Sequence, residues 1–198
     1  MILTDESDIE LIRKAGRIAG SVLEHLISLV KPGISTLEID QEAEKVITDA
    51  GAIPTFKGYR NFPASICASV NEEVVHGIPN KKKILKDGDI ISIDVGATIR
   101  INRDGKPFDF IGDTAVTVPV GKITPVLEKL LQDTKKSLYA ALAICKGGIT
   151  LDEIGGVVED IGLAGAYGIV RDYGGHGIVL VFTRNLLFII TAQAVRLS

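Results

Sequence analysis

Asp94 and Asp113 each lie inside an apolar, β-branched stretch, "ISIDVGA" and "FIGDTAV". A carboxylate in such surroundings is costly unless it is neutralised, paired or bound to a cation. Two of them on neighbouring strands, converging on one imidazole, would form an oxygen and nitrogen donor set suited to manganese, ferrous iron, cobalt or zinc. The chain offers three histidines for that role. His76 follows "NEEVV" and precedes "GIP", and His176 stands between two glycines, so the backbone can present either ring without crowding it. His25, in "EHLISL", has no carboxylate or cysteine at ligand spacing and reads as an ordinary helix residue. A plainer reading stays open for the others, in which Asp113 caps a turn, Asp94 faces solvent and both histidines serve structure. Competing chemistries lack their parts: there is no G-x-S-x-G elbow, no phosphate-binding Walker loop and no G-x-G-x-x-G. Cys67 and His76 as a thiol nucleophile pair have no local support.

The elements that must carry these residues announce themselves by period and caps. Ser7 with Glu10 has capping-box spacing, and Ile9, Ile12, Ile18, Val22, Leu26 and Val30 recur at helical intervals, which predicts a first helix running to about Val30. Ser35 with Glu38 opens a second through Asp49, with Gly51 as a left-handed stop. From Pro63 to Val120 the pattern changes to short β-branched runs, read as strands, with a hairpin turn at "NRDGKP", Asn102 to Pro107. Thr124 and Pro125 begin a third helix, with Leu127, Leu130, Leu131, Leu138, Ala141, Leu142 and Cys145 as its expected buried stripe, and Thr150 with Glu153 opens a fourth.

The links "VKPGISTLEI" and "CKGGITLDEI" repeat one another at an offset of 115 residues. The expectation is a single catalytic-type domain of two related halves: 1–123, an incomplete 124–177, and a divergent tail 178–198 without acidic residues. The apolar stretch from Gly177 to Ile190 is too short and too interrupted by Arg184 and Asn185 to predict a membrane span.

Composition narrows the class without naming it. With 46% hydrophobic and 24% charged residues in 198, the chain is expected to be soluble and globular. A net charge of -3 gives no electrostatic reason to bind nucleic acid, and the basic run Lys81 to Lys83 reads as a solvated turn. Two distant cysteines and a first segment without a basic, then apolar, leader point to a reducing, cytoplasmic setting.

Taken together and in order, "FPASICASVNEEVVHGIP", "GDIISIDVGA", "GDTAVTV" and "YGGHGI" resemble type I methionine aminopeptidases. The resemblance implies an α+β pita-bread fold with pseudo-symmetric halves, a pair of divalent ions between them, and removal of the initiator methionine from nascent proteins. It further implies Asp94, Asp113 and His176 as metal ligands, with Asp113 bridging, and His76 as the catalytic histidine beside the metals. Tyr59, Phe62 and Cys67 would line the pocket for the methionine side chain. The implied partners are nascent peptides beginning with methionine, and the ribosome, with no role for membrane or nucleic acid.

Two departures qualify that expectation. Asp94 and Asp113 are 19 residues apart, a longer gap than the pattern usually has, so "RINRDGKP" is expected to form a protruding hairpin. Beyond His176 the family's His-Glu-Glu-Pro segment and two later glutamate ligands have no counterpart. Codons able to encode Phe182 to Leu186 can spell His-Glu-Glu-Pro in a frame shifted by one. The expectation is therefore a lost nucleotide near Val179, a truncated ligand set and impaired activity, with "IVLVF" and "LLFIIT" pairing as a hairpin or promoting aggregation. The alternative is a non-catalytic pita-bread protein that serves as a binding or ribosome-associated module.

Overall fold

Asp5, rather than Ser7, opens the first helix. Its carboxylate accepts the Ser7 N–H at 2.8 Å, so α1 spans Glu6–Leu29 with the acidic cap placed at the positive end of the helix. Glu10, expected to reach back to a cap, instead pairs along the helix surface with Arg13 and Arg17. The second helix, α2 (Thr36–Asp49), carries the expected capping box of Ser35 and Glu38. The computed structural model describes residues 5–171, 173–177 and 184–188.

Strands β1 (Ile53–Pro54), β2 (Ile66–Val70), β3 (Ile90–Arg103) and β4 (Lys106–Pro119) form one antiparallel sheet. The expected run of strands is broken by the long irregular segment between β2 and β3, which carries His76. The 14 residues of β3 pair along their whole length with β4 on one side. On the other side they meet β2 through Ile91 to Val95 and β1 through Ala97 and Thr98. The hairpin turn falls where expected: Asp104 and Gly105 both take positive φ, 50° and 74°, the two-residue turn whose twist matches antiparallel strands.

Helix α1 lies across β3 and β4, and the buried side chains at that crossing are small. Ala15, Ala19, Val22, Leu23 and Leu26 are buried, while Ile12 and Ile18 are only half-buried. The reason is the closeness of the approach at Gly112 of β4, where a β-carbon would fall inside 3.0 Å of the backbone of Ala15 and Gly16. The main core continues from this crossing through Ile39, Ala43 and Ile47 of α2 to Ile91, Ile93 and Val95 of β3.

The repeat holds to the residue. α2 begins at Thr36 and α4 (Leu151–Ala164) at Leu151; α1 ends at Leu29 and α3 (Pro125–Ile144) at Ile144, each an offset of 115. Gly33 and Gly148, at the same offset, share a left-handed φ of 95° and 91°. The packing of the two helix pairs differs, however. On α3 only Leu130, Ser137 and Ala141 are buried; Leu138 and Leu142 are 54% and 55% exposed, and Cys145 is exposed. The expected stripe is thus corrected: the side of α3 that bears Leu138 and Leu142 has no sheet against it among the described residues. The second half contributes β5 (Gly175–Gly177), paired antiparallel with β6 (Arg184–Phe188). "IVLVF" lies outside the described residues, whereas residues 186–188 of "LLFIIT" belong to β6. Among the described residues no helix is long and apolar enough to cross a membrane.

Candidate metal centre

Antiparallel register brings the two aspartates together. Asp94 faces Ala115 and Asp113 faces Gly96, so the carboxylates are diagonal neighbours on one face of the β3–β4 ladder. Their side chains are in hydrogen-bonding contact, which rules out the plainer reading of a solvent-facing Asp94 and a turn-capping Asp113. Gly96, opposite Asp113, has no space for a side chain, because Thr55 and Phe56 lie within 3.0 Å of where a β-carbon would stand.

The electrostatics of the pair are unfavourable as it stands. Burial pushes the Asp94 carboxyl well above the usual carboxylate range, and the charge and hydrogen bond of Asp113 push it further. Burial raises Asp113 as well, against the opposing effects of the Asp94 hydrogen bond and His176. No lysine or arginine pairs with either carboxylate among the described residues; the nearest cation-forming group is His176, whose Nε2 lies 4.0 Å from Asp113 Oδ2. Asp113 is therefore the residue that meets both other candidates.

Among the described residues no three His, Cys, Asp or Glu side chains converge closely enough to hold an ion. The donor chemistry nonetheless fits a divalent cation, since two half-buried carboxylates without a counter-charge and one adjacent imidazole are what such an ion would neutralise.

Of the other sequence candidates, Cys67 stands next to this pair. Cys67 on β2 is the cross-strand partner of Asp94. Burial, then the charges of Asp94, Asp113 and Asp40, push its thiol up to about 12, which leaves it neutral and a poor nucleophile. Alkylation by iodoacetamide near neutral pH is therefore expected at Cys145 alone. Peptide mass mapping would show it, and an adduct on Cys67 in folded protein would contradict the burial. Tyr59 and Phe62 lie in a tight loop that leads into β2, closed by the Gly58 N–H donating to the Phe62 carbonyl at 2.8 Å. His76 has a left-handed φ of 58°, and its successor Gly77 is clamped to β2. The Gly77 N–H donates to Ser69 Oγ at 3.0 Å, and its carbonyl accepts the Ala68 N–H at 2.8 Å.

Sequence reasoning passed over two residues here. Tyr173 meets the His76 ring edge-on, with centroids 6.1 Å apart, and so links the segment after β2 to the strand bearing His176. Asp40 of α2 is buried and accepts the Ser65 and Ile66 N–H groups at 2.8 and 3.1 Å, which fixes the start of β2. A signal for Asp40 existed: it sits beside Ile39, Ala43 and Ile47 on the buried face of α2. Tyr173 had none beyond its place in "YGGHGI".

A carboxylate pair on a long hairpin, in an α+β architecture with a repeated helix pair, is the arrangement of a pita-bread metallopeptidase. Comparison with known proteins agrees: the sequence profile of metallopeptidase family M24 matches residues 10–195, and the chain belongs to that family. It is 42% identical over 178 residues to the methionine aminopeptidase of Clostridium acetobutylicum, covering 90% of this chain and 68% of that one. It is 46% identical over 171 residues to methionine aminopeptidase 1 of Bacillus subtilis, covering 86% and 65%. The crystal structure of methionine aminopeptidase from Rickettsia prowazekii superposes with a TM-score of 0.86 at 33% identity, covering 97% of this chain and 74% of that one. The chain thus spans about two thirds of the length of the curated relatives it matches.

Proposed function

We propose that this chain is a cytoplasmic metallo-aminopeptidase that acts on the N-terminal methionine of nascent proteins, and that its 198 residues hold the required ions weakly. The observation that carries this reading is the contact between Asp94 and Asp113, a half-buried pair of carboxylates without a lysine or arginine partner among the described residues. When bound there, one or two divalent ions, cobalt, manganese, iron or zinc, would supply Lewis-acid polarisation of the scissile carbonyl. Asp113 would hold the centre, with Asp94 and His176 on either side. His76, set on its clamped loop, would hydrogen-bond the substrate where charge develops in the transition state. Tyr59, Phe62 and Cys67 would form an apolar wall, suited to an unbranched thioether.

Weak retention follows from the donor count. No Asp, Glu, His or Cys stands between His176 and residue 198, so the candidate donors within this stretch are two carboxylates and one imidazole. The test is bound metal per chain after dialysis, measured beside cleavage of a Met-Ala-Ser peptide. Partial, exchangeable loading with slow, metal-dependent release of methionine is expected. Full-rate turnover would overturn the weak-binding part, and no loading even in excess metal would overturn the whole reading. A second reading, a non-catalytic protein of the same fold that binds peptides or the ribosome, is favoured by the lack of three converged donors among the described residues. Tight peptide binding by metal-free protein, with no cleavage under any metal, would select it.

A further inference from the structure

Beside His76 the surface opens into a cavity of about 640 Å³ bordered by Glu73, Val75, His76, Ile78, Lys82 and Lys83, a volume in the range of ligand-binding pockets. Its walls are not balanced in charge. Glu73 is engaged twice, with Oε2 accepting the Val70 N–H at 2.8 Å and Oε1 accepting from Lys83 Nζ at 2.5 Å. That ion pair cancels Lys83 and leaves Lys82, which forms no ion pair among the described residues, as the uncompensated cation. Lys82 is not on a loose tip. Its N–H donates to Asn80 Oδ1 at 2.8 Å, the Asn80 N–H donates to Thr36 Oγ1 at 2.9 Å, and the Lys83 carbonyl accepts the Thr36 N–H at 2.9 Å. The rim is thereby fastened to the first turn of α2. Val75 and the half-exposed Ile78 add an apolar wall.

We infer that this cavity receives the substrate peptide downstream of the cleaved bond, and that Lys82 selects acidic side chains there. The inference rests on the peptidase reading: that reading puts His76 beside the scissile bond, and His76 also lines this cavity, so an extended peptide leaving the first would pass into the second. Lys82 is a local cation on a chain of net charge -3, so its attraction is specific to this rim and not part of a generally basic face.

The test is fluorescence anisotropy of C-terminally labelled peptides on the full chain with manganese present. The probes are Met-Ala-Glu-Glu-Ser, Met-Ala-Ser-Ser-Ser, Met-Ala-Lys-Lys-Ser and the N-acetylated form of the first. The acidic peptide is expected to bind about threefold more tightly than the neutral one, the scale of an exposed charge pair, and the basic one more weakly. High salt should flatten the series, Lys82→Gln should remove the preference and Lys82→Glu should invert it. Free-amine peptides that bind without regard to charge, or a preference unchanged in Lys82→Glu, would overturn this inference alone. Equal binding of acetylated and free peptides would instead overturn the peptidase reading, and the inference with it.

Discussion

Replacing Asp94 with Asn is expected to raise the melting temperature of the metal-free protein at mildly alkaline pH and to abolish its response to manganese. Both Asp94 and Asp113 have folded-state pKa values raised above the ordinary 3.8, chiefly by burial. The folded protein then keeps a proton over a pH range in which the unfolded chain has released it. The stability this contributes is fully present below the ordinary carboxylate range and is lost as pH climbs through the raised folded values. Asn is nearly isosteric, can donate a hydrogen bond to Asp113, and carries no charge to repel it. The gain should be on the order of 1–3 kcal/mol, the cost of an uncompensated buried polar group, which for a chain of this size is about 2–4 °C per kcal/mol.

Manganese should act in the opposite sense on the parent protein. Binding to the folded state alone stabilises by mass action, and more so as pH rises, because the shared proton must leave before the ion enters. Thermal scans with and without manganese, at about pH 5.5 and about pH 8, therefore separate the two effects of this one residue. A metal-free parent more stable at the higher pH, or an Asp94→Asn variant that still responds to manganese, would contradict the assignment.

Gly112→Ala should be the most damaging single methyl addition in the sheet. The added carbon has no free volume, since it meets the backbone of Ala15 and Gly16 rather than the end of a movable side chain. Relief requires α1 to lift from β4, which would open the core built on Ala19, Val22 and Leu26 and shift the strand immediately before Asp113. Overpacking typically costs about 1–3 kcal/mol, and a backbone clash of this kind belongs at the upper end of that range, roughly 6–12 °C in melting temperature. Gly20→Ala on the same helix is the control. Nothing lies within 4 Å of the added carbon there, and replacing a mid-helix glycine should stabilise by about 0.5–1 kcal/mol. Denaturant titration of both variants decides the matter; equal and small effects would mean that helix and sheet are not in backbone contact.

Particular elements show how far sequence reading reaches. The capping boxes at Ser35 and Thr150, the turn at Asp104–Gly105 and the repeat offset were legible because each depends on a few adjacent residues. The start of α1 was misread because two cap residues lay within three positions, and Asp5 supplied a charged acceptor that Ser7 could not match. On α3 the period was right, but the burial was not: a stripe shows which side of a helix is apolar, never whether another element covers it.

The order and chemistry of the candidate donors, Asp94, Asp113 and His176, together with the repeated helix pair, were determined by the sequence alone, because residue identity and local hydrogen bonding are written along the chain. Only the tertiary structure decided that Asp94 and Asp113 touch, that Asp40 anchors β2, that Tyr173 meets His76 and that Lys82, in its cavity, is left without an ion-pair partner among the described residues. These relations depend on strand register, on one close helix crossing and on which charges have already found partners, and no window of neighbouring residues contains that information.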